Sequence, residues 1–392
     1  MNWTHKIHHT ALTLLSAGLL AVSGWGASAS PAQAASAPAP ACGSGDHGLL
    51  QELQAKLSST QSAPPSFNDL QFLSADTGRA AGNGFMIGTS DGGCHFQEIY
   101  KGQWNFRQMD FPDNVKGWAL ASVQDGSAVY LITTSDGGST WKRLSDKAVT
   151  FERIDFTDRM HGFGYNRTST YYTADGGLSW SKISTPANTS GAEFSSRSNG
   201  WAVVTAPGSG YRIMKTTDGG STWKLSLKSA FDYPESGRIY AKGDQVYALL
   251  YGGSGMSQTS YSLYASGNKG NSWRRVIAED SAGGGPAPGS GAEPLKTGPA
   301  SGKPGNMQLV GNSTAFLFGF SPAGEKVAVG RTYNSGKQWS NQPAISGVDG
   351  MISFTGSKAG WMAMKGVNSS SLYATEDGGT TWKLKLTFKG TE

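Results

Sequence analysis

An eight-residue box, Thr/Ser-x-Asp-Gly-Gly-x-x-Trp, returns along the 392-residue chain and restricts the fold more tightly than any other feature. Five copies run Thr89–Phe96, Thr134–Trp141, Thr173–Trp180, Thr216–Trp223 and Thr375–Trp382. Two more, Ser266–Trp273 and Thr332–Trp339, carry Asn268 and Asn334 in the Asp position. The third positions (Asp91, Asp136, Asp175, Asp218, Asn268, Asn334, Asp377) lie 45, 39, 43, 50, 66 and 43 residues apart. A step of this length holds one four-stranded antiparallel unit with its turns, and such units close into a ring. The expectation is an all-β, seven-bladed β-propeller of four-stranded antiparallel blades, with the box as the turn between third and fourth strands.

Each residue of the box has a local physical role. The short carboxylate accepts hydrogen bonds from amides of its own turn, and glycine takes the positive φ of a tight hairpin. Asn keeps the acceptor and loses the charge. The second glycine is present in all seven copies, marking the position least tolerant of a Cβ. The closing aromatic is Phe96 once and otherwise Trp141, Trp180, Trp223, Trp273, Trp339 and Trp382. It packs beneath the turn and buries large area at low entropy cost.

A second element, Ile/Met-Asp-Phe-x-Asp-x-x-x-Gly-Trp/Phe-Ala/Gly, precedes most boxes, at Met109–Ala119 and Ile154–Gly164 and more loosely at Ala192–Ala202 and Ile352–Met362. Its Phe alternates with polar neighbours as in a half-buried strand, and its Gly-Trp pair opens the next strand. In the third unit the pattern predicts strands over 151–156, 161–166, 169–174 and 179–183. The first unit carries Arg79 where the aromatic belongs.

The repeats account for residues 67–392 as one domain, interrupted at 281–305 by a Gly/Pro-rich stretch read as a flexible, solvated insertion between the fifth and sixth units. Residues 1–34 read as a secretory signal, with Lys6, the apolar stretch Ala11–Val22 and small residues ending in Ala32-Gln33-Ala34. Residues 35–66 form an Ala/Pro/Ser-rich leader with a short helix over 48–57, where Leu49, Leu50, Leu53 and Leu57 share a face. Export makes Cys42 and Cys94 a candidate disulfide, two unpaired thiols being the alternative. The protein is expected outside the cytoplasm or at the cell envelope.

Taken together, box and Phe…Gly-Trp element over residues 67–392 resemble the photosystem II stability/assembly factor family, within the wider class of BNR or Asp-box propellers. That resemblance implies an exported, non-enzymatic seven-bladed propeller that binds a membrane-protein assembly intermediate, in the thylakoid lumen if the organism is phototrophic. It also implies a basic patch for the partner, with no residue-by-residue match in this chain.

Other chemistry is weakly represented. Net charge is +5 with no run of Lys and Arg interleaved with aromatics, so nucleic acid is not an expected partner. After the signal only His47, His95 and His161 remain, without a close His/Cys cluster, so neither metal nor cofactor is expected. A glycoside hydrolase needs two carboxylates facing across the scissile bond. The box aspartates are explained by their turns, and Asp125, Asp146, Glu152, Asp232 and Glu235, on the opposite face, show no legible pairing. The Arg-Ile pairs at Arg153 and Arg212 lack the following Pro of a sialidase element. No catalytic residue is assigned, and a sialidase-like hydrolase or a glycan-binding protein stands as the alternative.

The preferred reading is a monomeric protein-binding scaffold. Trp104 and Arg107, in the connection from first to second unit, and Phe231, Tyr233 and Arg238, in the connection from fourth to fifth, are the candidate partner-binding residues, since aromatics with Arg anchor interfaces. On the other face Lys116, Arg159, Arg197 and Lys358 recur in first-to-second turns as a candidate basic arc.

Overall fold

A computed structural model describes residues 65–123, 126–289 and 296–389. The predicted signal, the leader helix over 48–57 and Cys42 lie outside these residues. Cys94 is not a free thiol.

The box builds one hydrogen-bonded turn seven times. In the third copy the Thr173 hydroxyl donates to Asp175 Oδ1 at 2.8 Å and accepts from the Gly177 amide at 2.9 Å. The Ser179 amide and hydroxyl donate to the two Asp175 oxygens, and Trp180 Nε1 donates to the Gly177 carbonyl. Asn268 keeps the arrangement by reversing one bond: its Oδ1 accepts from the Ser272 amide while its Nδ2 donates to the Ser272 hydroxyl, both at 2.9 Å. The residue after each Asp or Asn donates its amide to the first-to-second turn of the same repeat, as from Gly137 to Val115 and from Gly378 to Lys358. These two sets of turns therefore share a face, as the sequence predicts.

The strands form an all-β propeller of six blades, not the expected seven. The first sheet has six strands (Phe67–Phe72, Gly78–Thr89, Gln97–Asp110, Gly117–Val123, Val129–Thr134, Lys142–Arg143) and takes in both the first and second repeats. The second runs from Arg153–Phe156 to Ser181–Ile183, the third from Thr189–Phe194 to Lys224–Ser229 and the fourth from Gly237–Lys242 to Arg274–Glu279, with four strands each. The fifth, Lys303–Val310 to Ser340–Asn341, gains Ile345–Ser346 as an added strand, and the sixth runs from Asp349–Phe354 to Lys383–Lys389. The physical reason for the lower count is Gln97–Asp110. It pairs with Gly78–Thr89 through residues 97–105 and with Gly117–Val123 through 104–110. The hydrogen-bonded ladder thus crosses from one repeat into the next without a loop.

The second sequence element supplies the packing between sheets. Phe156 pairs across strands with Gly162, whose missing Cβ would stand 2.6 Å from the Phe156 ring, and the same pairing joins Phe194 to Gly200 and Phe354 to Gly360. The other face of each Phe receives the aromatic of the neighbouring repeat. Trp118 stacks on Phe156 at 3.7 Å and Phe316 on Phe354 at 3.6 Å. The last of these stacks closes the ring, with Trp361 of the sixth sheet on Phe72 of the first at 4.1 Å. The sixth sheet takes all four strands from the C-terminal residues, so ring closure is by packing between sheets.

The second box glycines sit against neighbouring strands with positive φ. At Gly336 φ is +81° and an added Cβ would lie 2.4 Å from the Ala265 methyl of the preceding sheet. Gly336→Ala combines left-handed strain with overpacking and should cost about 2–4 kcal/mol. Urea denaturation of the variant checks this.

The insertion over 281–305 is less solvated than its composition suggests. Among its described residues, Pro288 O accepts from Ser262, Ala287 O from Arg275, and the Gly298 amide donates to Glu279. Ala287 and Pro299 are buried, and Lys303 already begins the first strand of the fifth sheet. Backbone carbonyls meeting polar side chains dock this stretch where apolar side chains are too few. Residues 290–295 fall outside the described set.

Candidate binding face around the ring centre

The first strand of each repeat lines the ring interior, and its alternate residues are polar. These side chains reach the backbone of the next inner strand one repeat on. Asp69 accepts from the Met109 amide, Gln108 exchanges hydrogen bonds with the Ile154 N–H and C=O, and Asp110 accepts from the Phe156 amide. Gln71 does the same with Phe111, and Asn306 with Ile352. Asp110, in the first Met/Ile-Asp-Phe element, and Asp69 are therefore clamps between repeats, occupying backbone groups that lateral strand pairing leaves unmatched.

Enclosure raises these acids. Burial pushes Asp69 up to about 6, against the amides of Met109 and Leu70 that favour its charge. Asp110 is driven well above the usual range by burial and by Asp155, which is itself raised by burial. Burial pushes Glu193 up to about 7, although Arg153 lies 2.6 Å away. Burial opposes charge on Arg153 too, but Glu193 beside it holds the guanidinium firmly protonated. Arg153 also donates to the Ala192 carbonyl at 3.1 Å and lies 3.9 Å over the Tyr165 ring.

Above this pair, on the face that carries the connections between sheets, opens a pocket of about 460 Å³. Four arginines line it, Arg107, Arg153, Arg167 and Arg238, against one carboxylate, Glu152. Gly191 and Gly237 bring bare backbone to the wall, with Tyr165 and Tyr251 beside them. An excess of guanidinium donors in a concave site fits an anionic group.

Of the candidate partner-binding residues, the fold brings Arg107 and Arg238 into this pocket and leaves the others out. Trp104 is a correction. It is 5 % exposed, inside the continuous strand Gln97–Asp110, packed with Tyr130 and covered by Arg143, so it belongs to the core. Phe231 is half-buried against Tyr211, and Tyr233 is exposed outside the pocket lining. Sequence reasoning missed Arg153, Tyr165 and Glu193 as a unit. The available signal was the alternation Arg153-Ile154-Asp155-Phe156, which puts two ionisable groups on the inner side of one strand.

The four residues of the basic arc do lie in first-to-second turns, but local contacts occupy three of them. Lys116 donates to Thr133 and covers Trp118, Arg159 is paired with Asp113 at 2.7 Å, and Arg197 covers Tyr172 and donates to Gly219 O. Lys358 is exposed. Among the described residues there is no group of three or more His, Cys, Asp or Glu placed to hold a metal, and no helix long and apolar enough to cross a membrane.

No protein-family profile matches the chain, and no curated protein sequence matches it. Among solved structures, it is similar to a prolyl endopeptidase (TM-score 0.51, 10 % identity), covering 88 % of this chain and 52 % of that one. The chain thus spans about half of that enzyme. It is also similar to YCF48 bound to D1 peptide (TM-score 0.49, 14 % identity, 84 % of this chain and 92 % of that one) and to YCF48 from Cyanidioschyzon merolae (TM-score 0.48, 15 % identity, 83 % and 95 %). At such identities the likeness speaks to fold, and the class of protein is a β-propeller.

Proposed function

We propose that the protein is an exported binding scaffold whose central pocket receives a carboxylate-bearing segment of a protein partner at the cell envelope. The observation that carries this reading is the lining of Arg107, Arg167 and Arg238, together with the Glu193-paired Arg153, against the single lining carboxylate Glu152. Guanidinium groups grip carboxylates through paired, directional hydrogen bonds. Assembly of a membrane-protein complex, the role implied by the sequence resemblance, is one setting for such a grip. Hydrolysis of a glycosidic bond is disfavoured, because Glu152 is the one carboxylate in the lining and the nearby Glu193 is engaged by Arg153.

The test is titration of the protein with a synthetic acidic peptide ending in a free carboxylate, by calorimetry. The variant Arg107→Ala/Arg238→Ala should bind at least about tenfold more weakly, equivalent to about 1.4 kcal/mol. Equal affinity in parent and variant would remove the pocket from the binding surface.

A further inference from the structure

Two clefts open on the box-bearing side of the propeller, one on each flank of the turn Ser266–Trp273. The first, of about 360 Å³, lies between the third and fourth sheets and is lined by Lys215, Lys224, Thr217, Thr222 and Asn271 among others. The second, of about 270 Å³, lies between the fourth and fifth sheets, with Arg274, Lys337, Asn268, Ser272 and Trp273 in its lining. The fourth-sheet box is their common wall, giving Gly270 and Asn271 to one and Asn268, Ser272 and Trp273 to the other. A chain-like ligand leaving one cleft meets the other directly.

Positive side chains predominate in both linings, and the neighbouring carboxylate, Asp218 behind Thr222, is engaged by its own turn. Neither lining contains a carboxylate, and Lys224, Arg274 and Lys337 are exposed. In intact boxes the third position is an ionised Asp; at Asp218 the Thr222 hydroxyl and amide hold the carboxyl at about 2. Asn268 removes that negative charge at the wall between the two clefts while preserving the turn through its bonds with Ser272. The substitution is neutral for the fold and consequential for an anion approaching Arg274.

The remaining lining identifies the kind of anion. Hydroxyls and amides of Thr217, Thr222, Asn271, Asn268 and Ser272 surround the cations, and the exposed Leu225 adds an apolar surface in the first cleft. Amides and hydroxyls match sugar hydroxyls, an apolar side chain matches the apolar side of a pyranose, and Lys or Arg matches an acidic substituent. A flat bilayer fits poorly into two separate clefts flanking a projecting turn. We propose that these clefts together bind a linear acidic glycan, independently of the arginine pocket at the ring centre.

Fluorescence anisotropy with labelled heparin and labelled polygalacturonate tests this, with dextran, poly-glutamate and phosphatidylglycerol vesicles as competitors. Heparin and polygalacturonate should bind, longer fragments more tightly than ones too short to fill both clefts, and none of the three competitors should displace them. Lys224→Gln/Arg274→Gln/Lys337→Gln should weaken binding at least about tenfold and flatten its dependence on salt, since fewer counterions are released. Circular dichroism should show this variant folded, the three side chains being exposed. Arg107→Ala/Arg238→Ala should bind the glycans as the parent does. Parent-like affinity in the rim variant, displacement by dextran, poly-glutamate or vesicles, or loss of binding in the Arg107/Arg238 variant would each overturn the proposal.

Discussion

Trp361→Ala is expected to destabilise the protein by about 3–5 kcal/mol, the usual cost of emptying a buried tryptophan site. Trp361 is 2 % exposed, stacks on Phe72 at 4.1 Å and meets the edge of Phe96 at 6.2 Å. Its tip also fills the space over Gly93, where a Cβ would lie 2.3 Å from the ring. Trp118 makes a comparable stack on Phe156, but there the chain itself links the sheets on either side. Among the described residues no segment of chain links the sixth and first sheets, so the aromatic stack, the Phe388 ring against Phe67 and Phe85, and the bonds from Phe72 N to Ser353 Oγ and Phe67 N to Ser370 Oγ hold the ring shut. The two variants should therefore lose similar stability in urea and differ in hydrogen exchange. Trp361→Ala should speed exchange in Phe67–Phe72 and in the sixth sheet, whereas Trp118→Ala should leave these strands protected. Uniform exchange behaviour in both would show that closure does not depend on this stack.

The features most legible in the sequence were those whose physics is local. A Thr hydroxyl, an Asp carboxylate and two glycines specify the box within a few residues, and all seven copies fold as turns with their Asp or Asn accepting amides of the same turn. The strands of the third repeat fall at Arg153–Phe156, Gly162–Tyr165, Thr170–Thr173 and Ser181–Ile183, inside the predicted limits. The number of sheets was not legible in the same way. Repeats count boxes, whereas sheets are divided by loops, and Gly102 and Asn105 are too little turn chemistry to mark a boundary between Gln97 and Asp110. Arg79 shows a second limit. Its position looks degraded as sequence, yet its planar guanidinium lies 4.3 Å over Phe111 and its Nε donates to the Gly137 carbonyl at 2.9 Å. Trp118 performs the same two acts with Phe156 and the Gly176 carbonyl. The slot selects a flat group that stacks on the Phe, as Phe316 does on Phe354 with no N–H at all, and Arg79 and Trp118 add a hydrogen bond to the next turn. The central pocket was least legible, because Arg107, Arg153, Arg167 and Arg238 come from separate strands and turns and converge only when the ring forms.

Stability should peak in mildly acidic solution and fall on both sides, for two opposite reasons. Asp69 rises from an ordinary 3.8 to about 6 and Glu193 from 4.5 to about 7, both chiefly through burial. A carboxyl raised in the folded state contributes fully below its unfolded pKa, and that contribution is lost as pH climbs through the folded value. Each of these shifts sets a ceiling of about 3 kcal/mol, and water near the inner strands reduces it, so the two acids should together cost about 2–4 kcal/mol between about pH 4 and pH 7, with Asp110 and Asp155 acting in the same direction. The box aspartates act in the other direction. Asp175 and Asp218 are held at about 2 by the hydroxyls and amides of Ser179 and Thr222, so the stability they confer is present above the ordinary carboxyl range and disappears as pH falls toward 2. Denaturation midpoints measured across this range should therefore trace a maximum between the two limbs. Glu193→Gln separates them. It leaves Arg153 a carbonyl acceptor in place of its carboxylate, lowers stability overall, and should flatten the alkaline limb while leaving the acid limb unchanged. An alkaline limb as steep in Glu193→Gln as in the parent would assign the pH dependence to other groups.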